Sequence, residues 1–248
     1  MIEPTIVTFA NEAYIPVARN WLAAIDAAGV SAPVRIIALD AATRDAFSAG
    51  RVLYRPCDAA HLANLWTFRI SVLRALLAEV HWLIHSDADA VWMRDPLPII
   101  ADCATDMVFS QGTVWPPDVH ARHGIVLCCG FFSLRNTGPV RRFMAQLEAR
   151  VTLDRDDQVS VNRLMDEGGL EWAVEEPYTI PFRDTVFRAS HRIIRSREDH
   201  PVSVSVLPHH LFPRLMDGSV SEVIVAHPLS PKTCADKIAV LSQLGLWR

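Results

Sequence analysis

His81-Trp82-Leu83-Ile84-His85-Ser86-Asp87-Ala88-Asp89-Ala90-Val91-Trp92-Met93-Arg94-Asp95-Pro96 changes character twice within sixteen residues. The apolar run Trp82 to Ile84 has the length of a short buried strand and ends abruptly in Ser86 and two carboxylates. Only the small Ala88 separates Asp87 from Asp89. In extended backbone, residues two apart point to one side, so both carboxylates face the same ligand and Ala88 lets it approach. Hard divalent cations such as Mg2+ and Mn2+ take oxygen ligands and share them with a substrate's phosphates. Behind a strand, the pair stands where open α/β sheets bind ligands, at the carboxyl end. An Asp-x-Asp pair alone is more often a polar turn that closes a strand than a metal site, so the rest of the chain decides its meaning.

Upstream, Thr5 to Phe9 predicts a strand, and Asn11 caps a helix whose apolar positions are Tyr14, Ala18, Trp21, Leu22 and Ile25 and which Gly29 ends. Val34 to Leu39 predicts a second buried strand that ends in Asp40. This strand–helix–strand opening argues for a parallel sheet. Thr8, Asn11 and Asp40 then lie at carboxyl ends of strands, as candidates for a nucleotide's base and ribose or as caps and turn formers. A short helix follows over Thr43 to Ser48 and a longer one over Leu62 to Glu79, with Leu62, Trp66, Leu73 and Leu76 as its stripe. Arg69 falls inside that stripe, where a charge is costly unless paired. It either meets an internal carboxylate or reaches over the sheet to a bound anion; a helix leading straight into Asp87 favours the anion.

Downstream, Met107 to Ser110 reads as a strand. Gln111 to Gly124 reads as a loop whose Trp115-Pro116-Pro117 suits a lid, a sugar-stacking platform or ordinary loop packing. Ile125 to Leu134 is an apolar strand region broken at Gly130. Helices follow over Gly138 to Val151, with Val140, Phe143, Met144 and Leu147 on one face, and over Asp156 to Met165. Asp157 in the latter's first turn also simply complements the helix dipole. Beyond Trp172 the pattern is irregular, and Arg188 to Arg197 reads as a solvated face. Val223 to Ala226 is a last short strand leading into His227, and Ile238 to Leu246 a closing helix.

The chain has 248 residues, 50% of them hydrophobic, which suits one α/β domain with a substantial core. A net charge of -4 with no basic run argues against nucleic acid. Met1-Ile2-Glu3-Pro4 has neither a basic n-region nor a long apolar stretch, and no apolar run reaches the roughly 18 residues of a membrane span. Five cysteines, an odd count with Cys128 and Cys129 adjacent, suit buried reduced thiols in a cytosolic protein.

Together these segments resemble a GT-A nucleotide-sugar glycosyltransferase, more narrowly the nucleotide-diphospho-sugar transferases grouped with family 77, with features shared by the family 8 galactosyltransferases. The resemblance runs from Thr8-Phe9-Ala10-Asn11 to Gly245-Leu246-Trp247. Ser86 to Pro96 matches the family's S-D-x-D-x-x-W-x-R-D-P, and Arg69 occupies the position of its basic residue, eighteen before the first Asp. Gly130-Phe131-Phe132 with Arg135 is similar to its G-F-F-x-x-R strand near the donor sugar, and Asp157-Gln158 with Asn162 to its D-Q-x-x-x-N helix start. His227, Lys232 and Lys237 resemble its H-x4-K-x4-K, in which the histidine completes the metal shell and a lysine contacts the diphosphate. Cys128 departs from the pattern, which often has Asn there.

The resemblance implies one GT-A domain over residues 1–248, a Rossmann-like α/β fold with a mostly parallel central sheet flanked by helices. Residues 1–95 would form a nucleotide-binding half and 96–248 an acceptor-side half. It implies retaining transfer from a nucleotide-diphosphate sugar, UDP by family habit, to a glycan, lipid-linked or small-molecule hydroxyl. Asp87, Asp89 and His227 would hold Mn2+ or Mg2+, the imidazole tilting the choice toward Mn2+. Thr8, Phe9, Ala10, Asn11, Asp40, Arg69, Ser86, Asp87, Ala88, Gly130, Lys232 and Lys237 would bind the donor, with Asp157 and Gln158 at the anomeric centre. The expected location is cytoplasmic, with peripheral membrane attachment left open. Two rivals compete. A haloacid-dehalogenase-type phosphatase also uses Asp-x-Asp, but normally after its first strand, and gives Trp92 to Pro96 no purpose. A GT-A domain retained for nucleotide-sugar binding or scaffolding would bind donor without turnover.

Overall fold

The computed structural model describes residues 3–198, 200–216 and 220–248; Met1 and Ile2, two of the four N-terminal residues read above, lie outside them. The first half runs β1 (Thr5–Ala10), α1 (Ile15–Ala27), β2 (Val34–Ala38), α2 (Ala41–Ala46), β3 (Val52–Tyr54), α3 (Ala59–Ala63), α4 (Leu65–Glu79) and β4 (Trp82–Ser86). It continues through β5 (Val91–Trp92), α5 (Leu97–Asp102), β6 (Met107–Gln111), α6 (Pro117–His123), β7 (Leu127–Arg135), α7 (Gly138–Asp154) and α8 (Asp157–Glu167). The remainder is β8 (Trp172–Ala173), β9 (Pro177–Phe182), β10 (Thr185–Ser190), β11 (Ile194–Ser196), β12 (Val204–Val206), β13 (Val225–Ala226) and α9 (Cys234–Gln243).

Nine strands form one sheet in the order β3-β2-β1-β4-β7-β6-β12-β11-β8. The β3-β2-β1-β4 part is wholly parallel, as the strand–helix–strand opening predicts. β7 then enters antiparallel between β4 and β6, which sets Gly130 beside the end of β4. Alternation along β1 divides the core. Val7 joins Ile70 and Leu73 of α4 on one face, and Ile6 joins Val17 and Trp21 of α1 on the other. α7 packs outside α4 through Val140, Phe143, Met144 and Leu147, the stripe its sequence predicts, and Thr137 caps it by accepting the Val140 N–H. No helix among the described residues is long and apolar enough to cross a membrane.

Several local expectations are corrected. Asn11 makes no side-chain cap; a turn of 3-10 helix over Glu12–Tyr14 intervenes and α1 opens at Ile15 with Pro16 in its first turn. The expected helix over Leu62 to Glu79 is two, because Asn64 at φ -129, ψ 45 is not helical, and Leu62 is exposed instead of joining the core stripe. The loop after Gln111 contains α6, closed by Gly124 at φ 66 in the left-handed region that suits glycine. β7 does not end at Gly130, but its ladder with β6 shifts register there, from Phe109↔Phe132 to Ser110↔Cys128. The Arg-rich stretch forms β10 and β11, whose Phe187, Ala189 and Ile194 point inward while Arg188 and Arg195 face solvent. The five cysteines are free, with Cys103, Cys128 and Cys129 buried.

Candidate active site

β4 delivers Asp87 into a tight turn. Its N–H donates to Gly130 O at 2.6 Å, and its own carbonyl accepts the Ala90 N–H at 2.9 Å. The turn feeds β5, which pairs antiparallel with β13 in the register Ala226↔Val91. That pairing brings a residue far along the chain, His227, against the two aspartates. His227 Nε2 lies 3.5 Å from Asp89 Oδ1 and 3.8 Å from Asp87 Oδ2. One ligand atom from each of Asp87, Asp89 and His227 can be chosen so that all lie within 4.8 Å of one another.

Gly130 makes this approach possible. A Cβ there would stand 2.0 Å from His227 Cε1 and 2.7 Å from Asp87 Oδ2, so any side chain would displace the imidazole. His227 is anchored through its backbone: its N–H donates to Pro213 O at 3.1 Å, and its carbonyl accepts Arg214 Nη1 at 2.9 Å. Its other ring nitrogen, Nδ1, faces Cys128 Sγ at 3.9 Å. Lys237 of α9 pairs its ammonium with Asp89 Oδ2, and Ser230 Oγ lies 3.5 Å from the same oxygen. Two carboxylates and an imidazole, packed around a glycine that leaves them room, can hold a divalent metal.

Arg69 resolves the alternative its position raised: it pairs with internal carboxylates. Its Nε donates to Asp157 Oδ2 at 2.8 Å and its Nη1 to Asp87 Oδ1 at 3.0 Å. Arg69 and Asp157 are only 6% and 3% exposed, so each needs the other's charge. The Trp66 ring covers the guanidinium at 4.6 Å, and buried His85 places Nε2 3.1 Å from Asp87 Oδ1. Gln158 is fixed at both ends of its amide, accepting the Cys129 N–H at 3.4 Å and donating to Trp115 O at 2.8 Å. Asn162 pairs with both backbone groups of Leu127, at 2.7 and 2.9 Å, locking α8 to β7.

The charges follow from these contacts. Burial pushes the Asp87 carboxyl up, but the His85 hydrogen bond and the Arg69 charge more than offset this and hold it at about 2. Asp89 is likewise held below the usual carboxylate range by His227 and Lys237 against the effect of burial. Burial pushes Asp157 up, while Arg69 pulls it back. Burial and the Arg214 charge depress His227, yet hydrogen bonds to Asp89 and Cys128 leave it raised. Cys128 is pushed up by burial but brought down to about 7 by Arg214 and His227.

Arg69, Asp87, Asp89, Gly130, Asp157, His227 and Lys237 thus meet in one cluster. The remaining candidates stand differently. Ser86 is fully buried, and its hydroxyl accepts the indole N–H groups of Trp21 at 2.9 Å and Trp92 at 3.1 Å; this side chain supports the turn and offers a ligand no surface. Asp40 accepts the Thr43 and Glu12 N–H groups at 2.8 and 2.7 Å, which makes it a cap. Thr8 Oγ1 and Asn11 Oδ1 are buried with no hydrogen-bond partner among the described residues. Phe9 sets its ring edge against His85 at 5.8 Å, Ala10 and Ala88 are buried, and Lys232 is exposed. Sequence reasoning missed Arg214 and Ser230, which lie in a segment without periodicity.

The model of the nucleotide-diphospho-sugar transferase family matches residues 60–232. Among solved structures, the galactosyltransferase LgtC in complex with donor and acceptor sugar analogs is similar over 98% of this chain and 96% of its own, with 14% identity and a TM-score of 0.60. An active-site mutant of LgtC gives 13% identity over 97% and 95%, with a TM-score of 0.58. The glycosyltransferase GlyE of Streptococcus pneumoniae gives 11% over 94% of this chain and 56% of its own, with a TM-score of 0.58. No curated protein matches. The family match spans most of the chain and includes the turn, Gly130 and His227, and the solved structures share its fold from end to end; the chain belongs to the nucleotide-diphospho-sugar transferase family and is a glycosyltransferase of the GT-A fold.

Proposed function

We propose that this chain moves a sugar from a UDP-sugar to a hydroxyl of a glycan, lipid-linked sugar or small molecule, with Mn2+ held by Asp87, Asp89 and His227 and with retention of anomeric configuration. The observation that carries the reading is the convergence of those three side chains across Gly130. Glycosyl transfer breaks the anomeric C–O bond and leaves negative charge on a nucleoside diphosphate; the bound ion supplies Lewis-acid stabilisation of that charge. The chain's own cations, Lys237 at Asp89 and Lys232 on the same segment, add preorganised positive potential toward the leaving group.

Arg69 holds Asp87 and Asp157 in fixed relation, so the metal-side carboxylate and the candidate anomeric-side carboxylate move as one unit. Asp157 shares its charge with that guanidinium, which blunts it as a nucleophile. This favours front-face attack assisted by the leaving diphosphate, with Gln158 and Asp157 orienting the reacting sugar. Titration calorimetry of UDP with and without Mn2+ tests the site. The His227→Ala variant is expected to lose at least tenfold in Mn2+-dependent UDP affinity, because imidazole is the nitrogen ligand of the set; an unaltered affinity contradicts the assignment.

A further inference from the structure

His227 has two ring nitrogens, and they meet different groups. Nε2 lies 3.5 Å from Asp89 Oδ1. Nδ1 instead meets Cys128 Sγ at 3.9 Å, its one partner among the described residues. Cys128 and His227 are 2% and 6% exposed, so the sulfur takes the place that water would have at an open imidazole. The separation suits sulfur's larger radius, and a cysteine sulfur is a weak acceptor. The set of mutually close ligand atoms holds Asp87, Asp89 and His227 without Cys128, so the sulfur serves the imidazole and not the ion.

The strand that makes room for the imidazole also aims this sulfur. The ladder between β7 and β6 shifts register between Phe132 and Cys128, and such irregularities redirect side chains. Gly130 N–H donates to Cys128 Sγ at 3.4 Å, and Gly130 O accepts the Asp87 N–H at 2.6 Å. A Cβ on Gly130 would stand 2.8 Å from His227 Nδ1. The segment Cys128 to Gly130 therefore touches the site twice, Asp87 through a carbonyl and the imidazole through a sulfur.

A neutral imidazole carries one ring proton, and the hydrogen bond that one nitrogen makes decides what the other offers. With the proton on Nε2, that nitrogen has no lone pair for an ion. We infer that Cys128 is a positioning residue: its sulfur accepts the Nδ1–H of His227 and so presents the Nε2 lone pair to the aspartates. The inference rests on the metal reading of Asp87, Asp89 and His227.

Two measurements on the full chain test it. Nitrogen-15 NMR of the metal-free protein, at a pH where the imidazole is neutral, reads the tautomer of His227, whose signals are identified by their loss in His227→Gln. Titration with Mn2+ alone, followed by the EPR signal of the free ion, reads affinity. The parent and Cys128→Ser, which keeps an acceptor, are expected to carry the proton on Nδ1. In Cys128→Ala and Cys128→Val the proton is expected on Nε2, and Mn2+ affinity falls by about tenfold or more, as when other partners of a metal-bound histidine are removed. Cys128→Val fills the volume, so it remains informative if the cavity left by alanine unfolds the chain. A parent with its proton on Nε2, or a tautomer unchanged in Cys128→Ala and Cys128→Val, overturns the inference. A tautomer that moves as expected in a protein that ignores Mn2+ supports the positioning role and counts only against the metal reading.

Discussion

Gly130 is the residue on which the metal-site geometry turns. Composition suggests a strand break there, yet the strand continues, and what glycine supplies is the absence of a Cβ where His227 and Asp87 close in. Gly130→Ala therefore forces the imidazole away from the carboxylates. Overpacking of this kind costs about 1–3 kcal/mol, which a chain of 248 residues shows as a drop of a few degrees in melting temperature. The larger effect is expected on ligand affinity: Mn2+-dependent UDP binding, measured by calorimetry, falls at least tenfold. A variant that melts lower but binds as well as the parent contradicts the packing argument. The sequence showed a glycine beside two phenylalanines; it did not show that a histidine ninety-seven residues later would occupy the space.

At the scale of elements, α4, β4 and α8 are tied through one side chain. Arg69 of α4 meets Asp87 at the end of β4 and Asp157 at the start of α8. Removing one partner of a buried pair leaves an uncompensated charge at a cost of about 3–5 kcal/mol. Arg69→Leu is expected to lose that much in urea denaturation at pH 7; a loss below about 1 kcal/mol contradicts the tie. The sign of the pH effect is fixed. Burial already raises Asp157, and without Arg69 it rises further, so acidification lets it take a proton and shrinks the penalty. Arg69 was legible in the sequence as a misfit on an apolar stripe. Its partners were not, because a charge on a core face announces that it needs compensation without saying from where. The parallel opening, the α7 stripe and the turn after Ile84 were legible because local periodicity and a polarity switch encode them. α6, the split at Asn64 and the segment at residues 209–216 were not, since short elements and irregular segments carry no period.

For the whole molecule, the sheet explains why distant residues act together. Parallel strands β1, β2 and β4 point their carboxyl ends one way, β7 returns between β4 and β6, and the small β5–β13 ladder folds the C-terminal segment back onto the turn. His227 and Lys237 reach Asp89 only through that return. Nucleotide and metal are expected to bind the assembled chain together and to stabilise it by mass action, by about 2.7 kcal/mol at a ligand concentration 100 times Kd. Thermal unfolding with UDP, GDP, CDP and ADP, each with and without Mn2+, measures this most directly. A rise in melting temperature with UDP that appears only when Mn2+ is present is the predicted result. A protein that melts identically in every nucleotide, with or without the ion, contradicts the metal–diphosphate site.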